Sequence, residues 1–151
     1  MGRFGRAILA FGLVAGASAL GQEPQAEKGK IQGTWKLVSF EAAGANELLP
    51  PDALKKARVL ITADKLTFDL MGGGKPLEAH YTLDPSNKPK AIDLVDLESK
   101  ERKPLPGIYQ VDGDDLMLCW DANGQSRPSE FTKVSKRGQD LRLVILKRVK
   151  K

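Results

Sequence analysis

The sequence is poor in the residues that most protein chemistry depends on. Its 151 residues include one cysteine, Cys119, and one histidine, His80. One cysteine excludes a disulfide within the chain, whatever the redox compartment. Cys119 sits inside Leu-Met-Leu-Cys-Trp with no basic neighbour, so it reads as a small buried hydrophobe. His80 has no cysteine or second histidine for company, and zinc there would need three carboxylates, an uncommon set. It reads as a surface residue. A serine or cysteine nucleophile needs a positioned base, and no pattern here supplies one. Gly72-Gly73-Gly74-Lys75 lacks the spacing and the hydroxyl of a phosphate-binding loop, and Asp112-Gly113-Asp114-Asp115 lacks the order of a calcium loop. The carboxylates Asp93, Asp96 and Glu98 read as a solvated strand face. The sequence therefore predicts no enzyme, no metal and no cofactor.

Long apolar runs are missing too. The longest, Ala7–Leu20, falls short of the roughly 20 residues a membrane span needs and is interrupted by Gly12 and Gly16. It fits a secretory signal instead: Arg3 and Arg6 form a basic start, and Ala17-Ser18-Ala19 is an A-x-A cleavage site. Residues 1–19 are thus expected to be removed, giving a periplasmic or extracellular protein. Residues 20–30, with the polar stretch Gln22–Lys30, read as a disordered leader, and 31–151 as one domain. The formal charge of +5 includes both signal arginines and falls to +3 (5 − 2) without them, weak for nucleic-acid binding, which usually shows Lys and Arg gathered on one face, so nucleic acid is not an expected partner. The terminal Lys147, Arg148, Lys150 and Lys151 read as a solvated end.

What is present is alternation. Asp112-Gly113-Asp114 lies between apolar runs, a strong hairpin signal. A two-residue loop puts Tyr109 and Val111 on one face with Leu116, Leu118 and Trp120; a three-residue loop with a bulge would invert that match. Before this hairpin come a strand over Gly33–Ala42, a short helix at Ala53–Ala57 capped by Asp52, and strands at Arg58–Thr62, Leu66–Leu70, Leu77–Asp84 and Ala91–Glu98. In the first strand Trp35 and Leu37 share one face, and Val38 and Phe40 the other. Glu130–Val134 reads as a short strand or edge segment, and Leu141–Val149 as the last strand. Eight short strands with regular turns and one minor helix predict an all-β antiparallel barrel or sandwich.

Gly33-Thr34-Trp35 resembles the Gly-x-Trp opening of lipocalins, which are eight-stranded up-and-down barrels. Gly107-Ile108-Tyr109 with Asp112-Gly113-Asp114, Leu118-Cys119, Arg127-Pro128 with Phe131, and Leu146-Lys147-Arg148 complete a set similar to an uncharacterised secreted domain family of Planctomycetes regarded as lipocalin-like. The resemblance runs over Ile31–Arg148. It implies a barrel whose Trp35 plugs the closed end under an arginine, Arg148 or Arg142, with Gly33, Gly107 and Arg127 as further structural positions. It implies no catalytic residue. The absent disulfide pair and the short strands are departures from true lipocalins and argue against a large cavity.

An eight-stranded barrel can be filled by side chains or can hold one small ligand. By strand parity the inward candidates for a small apolar or amphipathic ligand are Phe68, Tyr81, Leu94, Tyr109, Leu118 and Trp120. The other expectation is a monomeric, non-catalytic envelope module binding a protein partner through the loops Gly44–Pro51 and Ala122–Pro128, where Arg127 either contacts a carboxylate or phosphate or closes strands.

Overall fold

A computed structural model describes residues 25–42, 49–70, 74–136 and 138–150. The expected signal segment and the loop at 43–48 lie outside the described residues. Eight antiparallel strands form a closed up-and-down barrel in chain order. They are β1 (Gly33–Ala42), β2 (Arg58–Ile61), β3 (Lys65–Asp69), β4 (Leu77–Asp84), β5 (Ala91–Asp96), β6 (Leu105–Asp112), β7 (Asp115–Asp121) and β8 (Leu141–Arg148). β8 returns to pair with β1, so no strand edge is left open. Glu130–Val134, expected as a strand or edge segment, forms no strand and lies outside the barrel wall, where the Thr132 carbonyl accepts from Cys119 Sγ at 3.4 Å.

The β6–β7 hairpin follows the two-residue register. Asp112 pairs with Asp115 and Tyr109 with Leu118, while Gly113 takes the first loop position at φ 59°. The inner face carries Tyr109, Leu116 and Leu118, which join Val59, Ile61, Leu66, Phe68, Tyr81, Leu83, Ile92, Leu94, Val144 and Leu146 in one core. Gly107 is needed by the same pairing. A Cβ there would lie 2.7 Å from the Cys119 carbonyl oxygen and 2.9 Å from Trp120 Cβ.

Alternation fails at one place in β1. The β1–β8 register shifts between Leu37 and Ser39, leaving Val38 as an extra, exposed residue. Such a bulge reverses the parity of everything beyond it. Trp35 and Leu37 point inward, as their spacing implies, but Phe40 does so too and packs against the core rather than sharing the outer face with Val38.

Among the described residues two short helices accompany the barrel. Residues 25–31 form helix α1, where a disordered leader was expected up to residue 30. α2 spans Pro51–Lys56, close to the expected Ala53–Ala57. Asp52 lies in its first turn instead of capping it; Pro50 holds the cap position and Pro51 the first turn, which suits its fixed φ.

Candidate functional site

Strand pairing gives the barrel two ends with different contents. At one end meet the start of β1, the loop β2–β3, the hairpin β6–β7 and the end of β8. Trp35 is fully buried there and donates its indole Nε1–H to the Ile31 carbonyl of α1 at 2.8 Å. The Arg148 guanidinium carbon stands 4.3 Å from the Trp35 ring centroid, and its nitrogens donate to the carbonyls of Gln32 (2.8 Å) and Lys30 (2.5 Å). Of the two candidate arginines, Arg148 is therefore the one over the tryptophan. Arg142 lies at the far end of β8 and pairs with Asp140. Gly33, at φ 131°, leaves room for this stack, since a Cβ would sit 3.0 Å from Arg148 Nη1.

α1 seals this end with a buried charge. Glu27 is buried, accepts from Tyr109 Oη at 3.0 Å, and accepts from Lys90 (3.0 Å) and Lys30 (3.1 Å). Burial alone would raise its pKa, but these three donors outweigh it and hold the carboxyl below the ordinary range. Tyr109 responds oppositely, with burial first and Glu27 second pushing its phenol up. Tyr81 donates to the Thr62 carbonyl at 2.6 Å; burial, then Asp64, pushes it up to about 12.

Among the described residues the other end is open. A pocket of about 130 Å³ is lined there by Phe40, Phe68, Leu77, Glu78, Ala79, Leu94, Asp96, Leu105 and Trp120. The Phe40 and Trp120 rings meet edge to face, 6.1 Å between centroids at 70°, and Phe68 leans on Trp120 at 6.3 Å. Of the six inward candidates, Phe68, Leu94 and Trp120 line this pocket. Tyr81, Tyr109 and Leu118 also face inward, but they fill the closed half and line no part of it. Phe40 belongs to the pocket and was missed by parity, because a bulge of one residue leaves no clear mark in the sequence. Leu105 and Ala79 could have been found from the inner-face alternation of β6 and β4.

Comparison with protein-family models, curated proteins and solved structures finds no match for the chain.

A second layer covers the outer wall of β5–β8. Arg127 reaches back from the loop after β7 and donates to the carbonyls of Ile92 (3.2 Å) and Gly107 (2.7 Å) and to Asp93 (2.8 Å). Its guanidinium ties β5 to β6, as a strand-closing residue would. Asp121 is fully buried and accepts four backbone N–H groups, from Asn123, Gln125, Ser126 and Asp140, at 2.8–3.1 Å. Burial raises its pKa less than these donors lower it, so the carboxyl is held down. Cys119 is buried under the same layer, and burial pushes its thiol up. His80 is exposed and its Nδ1 faces the Asp64 carbonyl at 3.2 Å. Among the described residues no three His, Cys, Asp or Glu side chains are grouped to hold a metal. Asp114 and Asp115, at the hairpin tip, pair with Arg148, Lys150 and Lys147, so the basic C-terminal residues serve the closed end.

Proposed function

We propose that this protein is an exported, lipocalin-like binding module that holds a small apolar or amphipathic molecule at the open end of its barrel. The observation that supports it is the open-end pocket: three aromatic rings and three leucines converge on a space that the core leaves unfilled. Size limits the ligand. An apolar cavity of about 150 Å³ in another protein takes up benzene, so about 130 Å³ suits one aromatic ring or a short branched chain. A larger ligand would place only such a group inside and leave its remainder at the mouth. Export is inferred from the basic start, apolar run and A-x-A site of residues 1–19. The family likeness is supported by the closed eight-stranded barrel and the Trp35–Arg148 stack.

The test is mass spectrometry of small molecules released from protein purified from its native source, with tryptophan quenching by a panel of small hydrophobes. Ala79→Phe, which fills the mouth from β4, should abolish both signals while leaving the fold intact. A protein that carries nothing and responds to no member of the panel would overturn the reading.

A further inference from the structure

We infer that the pocket selects an organic cation, a protonated amine carrying one aromatic ring or a short apolar group. The inference rests on the binding role just proposed and narrows it to a ligand class. It begins with the alternation of β5. Ile92 and Leu94 face the core, so Asp96, two residues further on, falls on the same inner face at the mouth. Opposite it in β4 stands Ala79, the smallest residue lining the pocket.

The charges around the mouth are not equivalent. Glu78 lies on the outer parity of β4 and pairs with Lys65 at 3.2 Å; Glu98 pairs with Lys75 at 3.2 Å. Asp96 has no ion pair among the described residues. Its Oδ1 accepts the Glu98 backbone N–H at 2.9 Å, which fixes the carboxylate in place without neutralising it. Among the described residues no lysine, arginine or histidine lines the pocket. Phe40, Phe68 and Trp120 line the same pocket, and an aromatic ring attracts a cation over its face. An anion would meet Asp96 with no donor to offset it, and a neutral molecule would gain no charge attraction from it. An ammonium uses both.

Three probes of one size decide it: benzylamine, benzyl alcohol and benzoate, titrated into the whole chain at neutral pH with the Trp120 indole resonance as readout. Benzylamine should bind about fivefold more tightly than benzyl alcohol at low salt, with the gap narrowing as salt rises, and benzoate should bind most weakly. Asp96→Asn keeps the bond to Glu98 and should abolish the amine's advantage over the alcohol. Equal binding of amine and alcohol, tightest binding of benzoate, or a preference that survives Asp96→Asn would overturn the inference and leave the binding role standing. If none of the three binds, the inference falls, and the binding role is decided by the panel of small hydrophobes.

Discussion

Gly107 carries a cost that is invisible in its own conformation. Its φ is not positive, so nothing about the backbone demands glycine; the demand comes from Cys119 and Trp120 on the neighbouring strand. A methyl group at 2.7 Å from a backbone carbonyl cannot be relieved by rotating a side chain. Gly107→Ala should therefore destabilise by about 1–3 kcal/mol, the range for overpacking. Thermal unfolding by circular dichroism should show a fall of several degrees. Alanine at Gly113 meets nothing within 4 Å but inherits a left-handed φ of 59°, so its cost would be strain without collision. The sequence marks both glycines alike. Only the pairing of β6 with β7 separates a space requirement from a torsional one.

At the level of elements, the strands were readable because each turns alternate residues to the core, and that period-two register is unbroken in β2 through β8 even where a second layer covers the outer face. The two features that escaped are those that alternation cannot encode. A single extra residue at Val38 turns Phe40 into the pocket. The polar composition of α1 conceals one carboxylate that is matched to Tyr109, 82 residues away. Among nine residues rich in Glu, Lys and Gln, nothing local separates Glu27 from Glu23. The difference is testable at Ile31, which closes α1 and is fully buried. Ile31→Ala should cost about 2–4 kcal/mol in urea unfolding, as for other buried aliphatics, whereas Lys28→Ala should cost less than about 1 kcal/mol. A loss near zero at Ile31 would mean that the segment does not pack on the barrel in solution. The candidate site divides in the same way: Phe68, Leu94 and Trp120 were found by parity, but parity cannot tell the filled half of a barrel from the open half.

For the molecule as a whole, titration should define a window of stability. Glu27 and Asp121 have native pKa values below those of the unfolded chain. Their contribution is complete above the ordinary carboxyl range, about pH 4, and is lost as the pH falls through their native values. Tyr81 and Tyr109 shift the other way, so their contribution is complete below about pH 10 and is lost as the pH rises toward 12. Melting temperature against pH should fall on both sides. Glu27→Gln should melt lower than the parent at pH 7 and lose less between pH 5 and pH 3, so that the two curves converge in acid. Parallel curves would show that Glu27 is not ionised where it lies.

The seam of the barrel has a consequence for time as well as for form. β1 is made first and β8 last, yet they are neighbours, and Arg148 bonds to carbonyls 116 and 118 residues before it. Closing so long a loop is entropically costly, and folds dominated by such pairings form slowly. Until β8 leaves the ribosome, β1 lacks one of its two partners and Trp35 lacks its lid. A nascent chain of this design stays open along one edge until its eighth strand emerges.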